Sequence, residues 1–130
     1  MIGSSQRKIL YIYILNLYEY FTMIEQDVLQ KIVWEIKKFD PDKIILFGSQ
    51  NSSRYNPESD IDLLVVKDIA EKDVRGLRIE IKKTLWKNLK DIASDFDIIV
   101  DSEKRILQRI KMGDLFYKEI YTKGKTIYAE

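Results

Sequence analysis

The sequence predicts a single α/β or α+β domain, and three observations carry that expectation. Its 130 residues are the length of one ordinary domain with one core. Stretches with apolar residues at helical spacing alternate with short β-rich runs, in the order helix, strand, turn, strand, helix, strand, helix, strand. No repeat or low-complexity linker sets off a second unit. Helices are therefore expected to pack on a small mixed sheet.

The first element is the least ordinary. Residues 1–22, MIGSSQRKILYIYILNLYEYFT, include ten without a charge from Ile9 to Tyr18. That run is too short to span a bilayer and lacks a small-residue cleavage site. It reads as an extra helix or strand packed on the domain. Met23 is an alternative natural start, which divides the chain into an N-terminal extension, 1–22, and a domain, 23–130. From Ile24, residues Val28, Leu29, Ile32, Val33 and Ile36 form a helical stripe. Thr22-x-x-Glu25 reads as its capping box and Asp40-Pro41 as its stop.

Lys43 to Phe47 is a short strand ending at Gly48. Ser52 to Ser59, with Asn56-Pro57, reads as loop, and Ile61 to Val66 as the second strand. A long helix follows, with Asp68-x-x-Glu71 as its cap and Val74, Leu77, Ile81, Leu85, Leu89 and Ile92 along one face. Its other face is basic and reads as solvated. Phe96 to Val100 is a third strand. Residues 102–122 make one helix or two, broken near Met112-Gly113, with Leu115, Phe116 and Ile120 expected in the core. Lys123-Gly124 ends that helix, and Thr126 to Tyr128 is a last strand.

Composition narrows the chemistry. The net charge of +1 gives no basic field of the kind nucleic-acid binders carry. Cysteine is absent, which removes disulfides and thiolate metal sites and is compatible with a reducing cytoplasm. Histidine is also absent, so the usual general base, the His-paired nucleophiles and most zinc sites are ruled out. Carboxylates, Lys, Arg, Tyr, Ser or a hard metal ion must do any chemistry.

The segment ILFGSQNSSRYNPESDIDLLVV concentrates those groups. Asp60 and Asp62 share a strand face by alternation, with Cβ atoms roughly 6–7 Å apart. Two anions so close repel unless a cation joins them, and Mg²⁺ favours one or two carboxylates plus substrate phosphates. Gly48 allows a tight turn and Ser49 can cap a short helix whose N–H groups meet an anion. Together they suggest a phosphate cradle beside a metal site for a nucleoside triphosphate. Asp97, between Phe96 and Ile98 in an apolar strand, needs a partner if ionised and buried, and the same metal could supply it. Asp95 and Asp101 compete for that role but sit at the strand's ends, where exposure would satisfy them.

Gly-Ser, ten residues, Asp-x-Asp and a later lone Asp in a strand resemble the nucleotidyltransferase superfamily related to DNA polymerase beta. The short length resembles its minimal nucleotidyltransferase branch, the antitoxin-like partners of small helical HEPN proteins. The resemblance covers about residues 24–130. It implies a single-domain nucleotidyltransferase fold and transfer of a nucleoside monophosphate from an NTP, ATP first among them, to a hydroxyl, perhaps a tyrosine's, on a HEPN toxin. Two Mg²⁺ ions (or Mn²⁺) would be held by Asp60, Asp62 and Asp97, with Gly48, Ser49 and Arg54 at the triphosphate. The family commonly continues Gly-Ser-Arg-Ala-Arg-Gly, whereas this chain reads Gly48-Ser49-Gln50-Asn51-Ser52-Ser53-Arg54, so its usual phosphate arginines are missing. Two rivals follow: an antitoxin that acts by binding alone, and transfer to a small molecule such as an aminoglycoside. A cytoplasmic protein is expected, with no membrane partner and homo-oligomerisation left open.

Overall fold

In the computed structural model, which describes residues 2–48 and 55–130 apart from the Phe21 side chain, eight elements follow in order. They are α1 (Ser4–Lys37), β1 (Lys43–Phe47), β2 (Ile61–Val66), α2 (Glu71–Leu89), β3 (Phe96–Asp101), α3 (Glu103–Lys111), α4 (Leu115–Lys123) and β4 (Lys125–Ala129). The strands form one mixed sheet in the order β3-β2-β1-β4. β1 runs antiparallel to both β2 and β4, and β2 runs parallel to β3. A parallel pair needs a crossover, which α2 provides.

Strand alternation sorts the core into two layers. Ile44, Leu46, Ile61, Leu63, Val65, Phe96, Ile98 and Val100 face α1 and α2, where they meet Val28, Leu29, Ile32, Ile36, Ile81 and Leu85. Ile45, Leu64 and Val66 face the other way and pack on Ile106 of α3 and Tyr117 and Ile120 of α4. The expected α+β class, helices packed on a small mixed sheet, is what forms, and the helices lie on both faces.

Four local expectations are corrected. Thr22 caps no helix: it lies inside α1, and its hydroxyl donates to the Tyr18 carbonyl one turn back at 2.9 Å. The Ile9 to Tyr18 run is helical, but it does not pack on the domain, since residues 2–20 are all exposed. α2 starts behind Ala70 without a side-chain cap, two residues past the expected Asp68, whose backbone N–H donates to the Asp42 carboxylate at 3.0 Å. In α4, Ile120 is buried as expected, but Leu115 and Phe116 are 76% and 53% exposed and Tyr117 takes the inward place. The other expected stops hold. Asp40 takes a left-handed conformation (φ 54°) just before Pro41, and Gly113 (φ 100°) separates α3 from α4.

Candidate active site

The site lies where β1 ends and β2 and β3 begin. Phe47 stands opposite Asp62 in the β1–β2 register, and Asp62 stands beside Asp97 in the β2–β3 register. Alternation puts Asp62 on the face of Leu64 and Val66, and Asp97 on the face of Ile99, which is the α3/α4 side. Phe47, Asp62 and Asp97 therefore form one row across three strands, with steps of about 4.8 Å. α3 and α4 cover the middle of that face, and among the described residues Asp97 at this end stays exposed.

Gly48 closes the row at the β1 end. Its φ of 74° suits glycine, and a Cβ there would run into the Asp62 carboxylate. The glycine thus permits two things: the reversal after β1 and a backbone pressed against Asp62.

The electrostatics are those of two neighbouring carboxylates that share a proton. Burial, then a hydrogen bond shared with Asp97 and the charges of Asp97 and Asp60, push the Asp62 carboxyl up from 3.8 to about 6. Asp60 stands one residue before β2, exposed at the mouth. Among the described residues no three carboxylates converge closely enough to form a complete metal cage. Mg²⁺ does not require one, because it keeps waters and phosphate oxygens beside one or two carboxylates. An all-oxygen donor set with a strained acid pair fits a hard divalent cation. Asp62 and Asp97 would be the residues that hold it, with Asp60 at the entrance.

Asp97 is corrected in one respect. It is exposed rather than buried, because β3 is an edge strand and this end of its face is open. Its case rests on adjacency to Asp62, not on burial. Its competitors are engaged elsewhere. Asp95 accepts from the Phe96 N–H at 2.8 Å and the Trp86 indole at 3.2 Å. Asp101, far from a free strand end, accepts from Arg105 at 2.6 Å and the Tyr117 hydroxyl at 3.1 Å. Ser49 and Arg54, the other expected phosphate ligands, lie outside the described residues.

Sequence reasoning missed two aromatic residues at this site. Phe47 was assigned only to the strand and Phe116 to the core, yet their rings meet edge-on 5.9 Å apart beside Gly48. Phe116 gave no usable signal, since an apolar residue in a periodic helix looks like core.

A glycine turn set against paired carboxylates, at the open end of a small mixed sheet, defines a nucleotidyltransferase-type domain. The chain matches the family described as Polymerase beta, Nucleotidyltransferase over residues 30–130, and it belongs to that family. No curated protein matches it. A solved structure of a mutant of the toxin-antitoxin MntA-HpeT is similar at 22% identity, covering 78% of this chain and 73% of that one, with a TM-score of 0.44. No helix among the described residues is long and apolar enough to cross a membrane.

Proposed function

We propose that this chain is a metal-dependent nucleotidyltransferase that moves a nucleoside monophosphate from an NTP such as ATP onto a hydroxyl of a HEPN-type toxin partner in the cytoplasm. The observation that carries the reading is the row in which Gly48 abuts Asp62 and Asp62 abuts Asp97. Family membership supports the reaction class. The partner rests on the sequence resemblance to the minimal branch.

In this reading the Gly48 backbone lets the triphosphate approach Asp62 without a side chain in the way, and the family resemblance assigns its oxygens to Ser49 and Arg54. Asp62 with Asp97 would hold a cation between them, and Asp60, at the mouth, would join Asp62 on the cation that arrives with the nucleotide. Bound Mg²⁺ supplies neutralisation of phosphate oxygens and a lowered pKa for the acceptor hydroxyl. Asp97, exposed at the edge of the row, would take the proton that hydroxyl loses. The new bond joins the acceptor oxygen to the α-phosphorus, and pyrophosphate leaves.

Labelled ATP incubated with Mg²⁺, the chain and a HEPN protein tests this. Label on the partner, lost with Asp62→Ala, is the expected result. Partner binding without label, unchanged by Asp62→Ala, would instead favour neutralisation by binding alone, which the missing loop arginines also favour.

A further inference from the structure

Beside Gly48 lies a cavity of about 440 Å³, bounded by Phe47 at the end of β1 and by Phe116, Glu119, Ile120 and Lys123 of α4. Ligand clefts for molecules of nucleoside size fall in this range of volumes, roughly 300–1,000 Å³. Phe47 is also the end of the row that contains Asp62 and Asp97, so the cavity opens about one strand spacing, ~4.8 Å, from Asp62. α4 already has its core anchors in Tyr117 and Ile120. Phe116 is not needed there, and it instead meets Phe47 at 86° with half its surface open. An exposed Phe alone is ordinary. One braced by a second ring, over a cavity that adjoins the glycine turn, is a stacking platform.

We infer that this cavity is the nucleobase subsite and that it favours purines by stacking on Phe116 rather than by reading the base edge. The inference rests on the nucleotidyl-transfer reading and adds its substrate preference. The direction of the row supports the assignment. Asp97 lies at the opposite end, on an edge strand where an acceptor can approach, whereas the Phe47 end adjoins the turn that meets the phosphates. The lining supports the mode of recognition. Glu119 and Lys123 pair with each other at 3.5 Å on the rim, and their side chains are 66% and 75% exposed. Strong discrimination between bases needs buried polar groups that the wrong base leaves unpaired, and the described lining has no such side chain. Stacking depends on ring area, so adenine and guanine bind alike and cytosine and uracil bind more weakly.

Calorimetry on the full chain with Mg²⁺ tests this using ATP, GTP, CTP, UTP and inorganic tripolyphosphate. ATP and GTP should bind about equally and about tenfold tighter than CTP, UTP or tripolyphosphate, as expected for one stacked base. Phe116→Ala should bring ATP to the tripolyphosphate affinity and leave tripolyphosphate itself unchanged, while Phe116→Trp should retain or strengthen ATP binding. The subsite is overturned if wild type binds ATP and Phe116→Ala binds it equally well, or if Phe116→Ala weakens tripolyphosphate as much as ATP. It is also overturned by a strong preference between ATP and GTP. Absence of Mg²⁺-dependent binding for every probe, tripolyphosphate included, would instead remove the nucleotidyl-transfer reading beneath it.

Discussion

The two ends of β3 each carry an aspartate on the same sheet face, and they are treated in opposite ways. Asp101 is half-buried and supplied with donors: the Arg105 guanidinium, the Tyr117 hydroxyl and the Ser102 N–H. Burial, with the Asp101 charge next, pushes the Tyr117 hydroxyl up to about 12, so it stays protonated and donates. Asp97 instead faces another carboxylate, and that arrangement holds Asp62 near 6. A carboxylate kept for structure is surrounded by donors within the chain. The proposed site instead leaves Asp97 beside a second anion, an arrangement that suits a cation brought from outside.

The contrast is broken most decisively by activity. Asp97→Asn should lower nucleotidyl transfer by ~10²-fold or more, the scale of a lost general base, with nucleotide affinity largely retained. Asp101→Asn should transfer at near the wild-type rate once folded. Radiolabel transfer measured for both variants decides it, and the reverse ranking would mean that the wrong end of the strand has been assigned.

Stability should show the opposite order. Asp101→Ala leaves Arg105 and Tyr117 without their acceptor and should cost about 1–3 kcal/mol in urea unfolding. Asp97→Ala relieves repulsion and should be neutral or slightly stabilising in EDTA. Equal destabilisation by both would show that Asp97 has a structural partner.

The pH dependence sharpens the same point. Below about pH 4 both the folded and unfolded states carry the Asp62 proton. Between there and about pH 6 the unfolded chain releases it while the folded chain keeps it, so metal-free stability falls as pH rises through this window. Solvent screening reduces the effect to on the order of 1 kcal/mol. Asp62→Asn should flatten the fall, and saturating Mg²⁺ should shrink it in wild type. A wild-type profile that is flat from pH 4 to 6 in EDTA would refute the shared-proton geometry.

The smallest effect is expected from removing the exposed first half of α1. Starting the protein at Met23 deletes residues of which none with a described side chain is buried, so the melting temperature should barely change. Scanning calorimetry checks this. A large drop or aggregation would mean that the first half of α1 covers core surface, in the chain or in a second copy.

The sequence by itself determined the central strands and narrowed the chemistry to a few residue types. Ile61 to Val66 and Lys43 to Phe47 were legible to the residue, because apolar runs bounded by Gly48, Pro41 and polar loop residues leave little choice of register. The lack of histidine and cysteine left carboxylates to do the work, and the spacing of Gly48, Asp60, Asp62 and Asp97 pointed to one site. Its convergence was a matter of tertiary structure. Strand order is invisible in a periodicity, so only the folded sheet set β3 parallel beside β2, brought Asp97 next to Asp62 and left it exposed on an edge. Local signals failed where the helix began elsewhere than the cap pattern suggested. Thr22 looked like a cap until helix on both sides satisfied its neighbours, and Asp68 lies two residues before Ala70, behind which α2 begins. On the nine-residue α4, apolar residues are too dense to reveal which of them turn inward. The sheet takes Tyr117 and Ile120, and Phe116 is left facing out beside Phe47.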